Sequence, residues 1–274
     1  GGMSRYIAVT SISAGARVVT AVAPLADGTL WVGFAQRWDP TLRHPASTDG
    51  AVRGAFAPGG IARFDPAHNQ WSSHSRAELA TPPGDPGVDP IFRTLPSDNV
   101  TALALDSEGT LWAGPRPYYA WDPSTCHDGD CLKSTAYWIL TGGGLAAYRD
   151  GAWRRWYPTS ATDTSCYDRS ITALAADADR RMWVGTQGHG VLLMRGFEQA
   201  WTCSSGQAYY VKPRGRPDPA NPGLAGNVVL AVAVEPTTGR VWLSQGEGTD
   251  TSLGLVILDP RGTWADAAAY DEQA

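Results

Sequence analysis

Lysine is almost missing from this chain: Lys133 and Lys212 are the only two in 274 residues, and arginine carries the rest of the positive charge. The formal net charge is −5. That balance leaves no basic stripe, which argues against a nucleic-acid partner. No apolar run reaches the roughly 20 residues of a membrane helix, so no membrane insertion is expected. No long stretch has the 3.6-residue periodicity of an amphipathic helix. Gly-x-Ser-x-Gly is absent, and so is a phosphate-binding P-loop. The start, Gly1-Gly2-Met3, is not a charged segment followed by an apolar one, so no signal peptide is read there and secretion stays open.

What the chain does have is a fourfold repeat. Val19-Thr-Ala-Val-Ala leads to Leu30-Trp31-Val-Gly, and Val100-Thr-Ala-Leu-Ala leads to Leu111-Trp112-Ala-Gly. Ile171-Thr-Ala-Leu-Ala leads to Met182-Trp183-Val-Gly, and Leu230-Ala-Val-Ala-Val leads to Val241-Trp242-Leu-Ser. Each first segment begins twelve residues before its tryptophan. The alternating, β-branched segments are strand chemistry, and the Asp/Gly-rich stretches between them are tight turns. A third strand follows a glycine each time, at Gly60, Gly144, Gly190 and Gly254. A fourth carries a tryptophan: Trp71, Trp153 or Trp156, Trp201, and Trp264. Four antiparallel strands, repeated, make an all-β β-propeller with four recognisable four-stranded blades, because one such unit cannot bury its own apolar face. The blades fall near 19–75, 99–157, 170–202 and 228–270, in a single domain. A strand at 4–13 has no repeat of its own. It could clasp the last blade or end a further, partial one.

Asn99-Val-Thr-Ala-Leu-Ala-Leu-Asp-Ser-Glu-Gly-Thr-Leu-Trp-Ala-Gly, then Gly143-Gly-Leu-Ala-Ala-Tyr, with the lead-in Leu95-Pro-Ser-Asp-Asn-Val, resembles the two-component-regulator propeller repeat. That repeat occurs in sensor ectodomains of bacterial hybrid histidine kinases and in other surface proteins. The resemblance covers the framework of all four units, roughly half the chain. It implies the fold and a sensor-like, cell-surface setting, and leaves the ligand open. The chain departs from that family in having four units where such sensors have about seven, and in its longer insertions. The sialidase Asp-box is a competing reading, but its aspartate position holds Ala26, Ser107 and Thr237.

With strands a to d in each blade, the a–b and c–d turns are short. The long segments are the b–c insertions, 35–58 and 115–141, and the d–a linkers, 72–98, 158–170 and 203–227. Antiparallel topology puts all of these on one face, where binding loops on a rigid scaffold are expected. Trp38, Tyr118, Tyr119, Trp121, Tyr137, Trp138, Tyr209 and Tyr210 lie in these segments and are the candidate ligand-binding residues. Trp38 and Trp121 each open a Trp-Asp-Pro tripeptide, so the two insertions read as related copies; equally, these tryptophans could anchor each insertion to its blade.

Cys126, Cys131, Cys166 and Cys203 lie in polar loop sequence. They are expected to pair, 126 with 131 and 166 with 203, which would place the protein in an extracellular or periplasmic setting. Asp128 and Asp130 are weak candidates for calcium; two carboxylates are too few for a calcium loop, so no cofactor is expected. His189, between two glycines, is a weak candidate general base without a partner motif. The expected function is therefore non-enzymatic binding of a saccharide or a protein partner. The alternatives are a structural subunit of a cell-surface assembly, as an oligomer or part of a larger whole, and a polysaccharide lyase or hydrolase using His189.

Overall fold

The computed structural model describes residues 18–45, 47, 51–74, 95–121, 138–156, 170–188, 190–194, 228–247, 251–258 and 264–266. Among the described residues the regular structure is entirely β. β1 (Val18–Pro24) and β2 (Leu30–Ala35) open the first sheet. β3 (Arg37–Arg43) and β4 (Arg53–Ala57) then form a separate two-stranded hairpin. β5 (Gly60–Asp65) and β6 (Gln70–His74) return to complete the order β1-β2-β5-β6. The second sheet repeats the plan. β7 (Asn99–Leu105) and β8 (Leu111–Arg116) are followed by a detached hairpin, β9 (Tyr118–Trp121) and β10 (Trp138–Thr141). β11 (Leu145–Arg149) and β12 (Ala152–Trp156) then give the order β7-β8-β11-β12. The third sheet shows β13 (Ile171–Ala176), β14 (Met182–Thr186) and β15 (Val191–Met194). The fourth has β16 (Val228–Val234), β17 (Val241–Glu247), β18 (Thr251–Leu258) and β19 (Trp264–Asp266). All pairings are antiparallel, and the molecule is a β-propeller. The strand expected at 4–13 and the tryptophan at 201 lie outside the described residues.

The repeat tryptophan is held by its own turn. Asp106 Oδ1 accepts from the amides of Glu108 and Thr110, both at 2.9 Å, and Oδ2 accepts from the indole Nε1 of Trp112 at 2.9 Å. Asp177 repeats this with the amides of Asp179 and Arg181 and with Trp183 Nε1, each at 2.9 Å. One carboxylate therefore closes the turn and satisfies a buried indole N–H, a group that would be costly to leave unpaired. Leu25 and Glu235 occupy the same place in the first and fourth sheets, each donating its amide across the turn as Asp106 and Asp177 do.

The cores lie between successive sheets. Trp31 and Ile61 of the first sheet pack with Leu111, Ala146 and Trp153 of the second. Trp112 and Leu145 pack with Ile171, Met182 and Leu192 of the third. Trp183 and Leu193 pack with Val229 and Leu243 of the fourth. Each innermost strand also carries a bulge after its first or second residue, between Val19 and Ala21, Val100 and Ala102, Ile171 and Ala173, and Val229 and Ala231. The bulge frees a threonine hydroxyl to reach the next sheet: Thr20 Oγ1 donates to the carbonyl of Val100 at 2.5 Å, and Thr101 Oγ1 to that of Ile171 at 2.9 Å.

Both detached hairpins leave from the same end of their sheets. β6 ends at His74 opposite Ile61, near the start of β5, and β7 begins at Asn99 opposite Arg116, at the end of β8. The linker between those sheets therefore leaves and arrives at the hairpin end. The short turns 25–29, 66–69, 106–110 and 177–181 lie at the other.

Candidate functional site

The insertions are not irregular loops. They are two β-hairpins that bind each other. In the first, Trp38 pairs in register with Phe56, and the two rings meet edge-to-face at 5.1 Å. The benzo edge of Trp38 lies against Gly54, where a Cβ would come within 2.6 Å of Cζ2. Gly54 has φ +109, a conformation that suits glycine and no bulky residue. In the second hairpin, Tyr119 pairs with Leu140 and Trp121 with Trp138. Phe56 stacks on Tyr119 at 4.6 Å with the planes 15° apart, and the His44 ring meets Trp121 edge-on at 4.6 Å. The side-chain amide of Gln36 pairs with the backbone of Tyr119 both ways: Nε2 donates to the carbonyl at 2.8 Å, and the amide donates to Oε1 at 2.7 Å. Asn99 adds a second tie, accepting from the Gln36 amide at 3.1 Å and donating to the Pro117 carbonyl at 2.9 Å.

The Trp-Asp-Pro tripeptide of the first hairpin has a local cause. Asp39 is buried, and its Oδ1 accepts from the hydroxyl of Thr41 at 2.6 Å and the Thr41 amide at 2.9 Å, closing an Asx turn at the bulge between Asp39 and Arg43. The Thr41 hydroxyl, then its amide, hold the Asp39 carboxyl below the ordinary range, and Arg37 at 2.9 Å adds to this. Burial pushes the His44 imidazole below its usual value.

The structure thus separates the predicted aromatics. Trp38 and Tyr119 are 40% and 43% exposed and are joined through Phe56, and Leu140 lies beside Tyr119 and is also exposed. Tyr118 is half-buried, with its ring against Gly142, and Trp121 is half-buried against His44 at the hairpin junction. Trp121 is therefore an anchor between hairpins. Trp38 is both anchor, through Gly54 and Phe56, and exposed surface. Trp138 has its place in register opposite Trp121. Tyr137, Tyr209, Tyr210, His189, Asp128, Asp130 and the four cysteines, Cys126, Cys131, Cys166 and Cys203, lie outside the described residues. Among the described residues no three His, Cys, Asp or Glu side chains converge as a metal site would require. Sequence reasoning missed Phe56, His44, Gln36 and Leu140. The alternation Gly54-Ala55-Phe56 opposite Trp38 was the available signal for the first.

Two stretches, residues 94–116 and 168–188, match the two component regulator propeller family. They are the stretches in which an aspartate accepts from the repeat tryptophan. A search of curated proteins finds no match. Among solved structures, the chain is similar to the extracellular domain of BT4673 from B. thetaiotaomicron, described as a one component system. The identity is 15%, the TM-score 0.36, and 90% of this chain and 28% of that one are covered. It is similar to the Niastella koreensis GH74 enzyme at 12% identity and TM-score 0.47, covering 90% of this chain and 29% of that one. PorZ of Porphyromonas gingivalis, a surface component of a type-IX secretion system, gives 16% identity and TM-score 0.33, with 98% and 36% covered. Likeness at this level carries no activity from one chain to another. The chain is a β-propeller, and one stretch in its second sheet and one in its third match the two component regulator propeller family.

Proposed function

We propose that this chain is a non-enzymatic binding propeller of the sensor type, working outside the cytoplasm, and that it takes a saccharide on the end bearing the two hairpins. The observation that supports this is the aromatic band Trp38–Phe56–Tyr119, continued by Leu140, held across two hairpins on a rigid sheet scaffold. A partly exposed indole, braced by a glycine along its benzo edge, is a platform on which the C–H face of a sugar ring stacks. Arg53, exposed on the partner strand of the same hairpin, offers guanidinium N–H groups for hydroxyls beside the one it donates to the Thr41 carbonyl. No helix among the described residues is long and apolar enough to cross a membrane. The sequence expectation of paired cysteines favours an oxidising compartment. A glycan array with neutral and acidic polysaccharides, read for wild type, Trp38→Ala and Tyr119→Ala, tests the reading. Retention by wild type and a loss of about tenfold or more in Trp38→Ala are expected. Absence of any glycan signal, or binding unchanged in both variants, refutes it.

A further inference from the structure

The three inner joints between sheets share one construction. A valine or isoleucine of the following sheet sits against a glycine of the preceding one, and a threonine of the preceding sheet donates to that residue's carbonyl. Thr20 with Gly33 receives Val100, Thr101 with Gly114 receives Ile171, and Thr172 with Gly185 receives Val229. A Cβ on any of the three glycines would fall at or inside 3.0 Å of the inserted side chain. The inserted residues are 0%, 2% and 0% exposed, whereas Val19, their equivalent on the first sheet, is 55% exposed. Val18 and Val22 beside it are exposed as well, and β1 carries no charged residue.

We infer that this edge of the first sheet is a docking surface for a further propeller blade, one with threonine on its innermost strand and glycine on the next. The occupant is a blade other than the four of residues 18–266. The fourth sheet is the one whose corresponding face follows no inner joint, and it lacks both parts of the socket. Leu230 stands where the threonine stands elsewhere, and Ser244 stands opposite Ala231 where the glycine does. Leucine has no hydroxyl to donate, and the Ser244 Cβ takes the space that the inserted methyl needs. Neither closure of the fourth sheet on the first nor head-to-tail docking of a second copy reproduces the joint. Outside the four units, the sequence has no other paired Val-Thr-Ala and Leu-Trp-x-Gly segments. This inference is independent of the saccharide reading.

The test restores the socket. Wild type, Leu230→Thr/Ser244→Gly, and the same double variant with Val19→Asp are compared by native mass spectrometry and light scattering over a concentration series. Wild type is expected to be monomeric. The double variant is expected to associate head-to-tail at least about tenfold more tightly, and Val19→Asp to return it to monomer. Leu230 is exposed and Ser244 half-buried, so the fold should survive; if the double variant unfolds, the single changes, each with weaker association, give the readout. A double variant that stays monomeric overturns the inference. So does wild type that already associates through Val19, since the occupant would then be a second copy.

Discussion

Replacing Asp106 by alanine removes one carboxylate and strands three donors. The Trp112 ring is fully buried and Thr110 is buried, so the indole N–H and the Thr110 amide lose partners that water does not replace, while the Glu108 amide lies at the exposed turn. Each stranded buried donor costs about 1–3 kcal/mol, which puts Asp106→Ala at roughly 2–6 kcal/mol. For a domain of this size that corresponds to a fall in Tm of about 5–20 °C. Urea titration followed by tryptophan fluorescence, with a thermal scan, measures it. Asp106→Asn separates the two roles: its carbonyl oxygen can still accept from the Glu108 and Thr110 amides, but its NH2 then faces Trp112 Nε1. An intermediate loss is expected. Asp27→Ala, at an exposed turn of the first sheet, should change stability far less. An Asp106→Ala variant within about 0.5 kcal/mol of wild type, the range of surface substitutions, would show that the carboxylate does not hold the tryptophan.

Three other outcomes follow from the structure. Gly114→Ala places a methyl on Ile171, and overpacking of this kind costs about 1–3 kcal/mol; Gly114→Ala/Ile171→Ala should lose less than the sum of its single changes in the same urea titration. His44 is buried and its folded pKa lies below 6.5, so between that value and 6.5 the unfolded chain holds a proton that the folded chain does not. Stability should fall as pH drops through this window and level off below the folded pKa, and His44→Phe should abolish that slope. The depressed carboxyls of Asp27, Asp39 and Asp65 act separately: their contribution is present above 3.8 and lost as pH falls through their lower folded values.

The framework was legible because a period of strand, turn and tryptophan recurs with fixed spacing, and the glycine before each third strand marks its start. Trp153 illustrates the limit: the sequence left it level with Trp156 for the fourth-strand position, and β12 contains both, with Trp153 in the core beside Tyr148. The hairpins were not legible. Arg37–Arg43 contains Pro40, which reads as a break, and its partner Arg53–Ala57 is short and glycine-containing. Their register depends on the Asp39 carboxylate filling a bulge, which no periodicity announces. The joining of the two insertions was invisible for a different reason. It rests on Gln36 imitating a peptide group toward a residue 83 positions away. In the fourth unit Ser244 was visible as a departure from the repeat glycine, but Leu230 was not. The twelve-residue spacing aligned it with Val19, whereas the turn 235–240 is one residue longer than its equivalents, so that Val229 takes the place of Val19 and Leu230 that of the threonine.

The place where the first hairpin leaves and rejoins its sheet has an implication for how such a protein diversifies. Phe34 pairs with Gly60 across the sheet and Ala35 with Val18, so residues 36–59 form a closed excursion that the ladder does not need. Its exit is narrow: Gly59 lies against the carbonyls of Phe34 and Asp98 with no room for a side chain. Cassettes of other length or chemistry could be exchanged at this splice point while the spokes stay as they are, provided each ends in glycine.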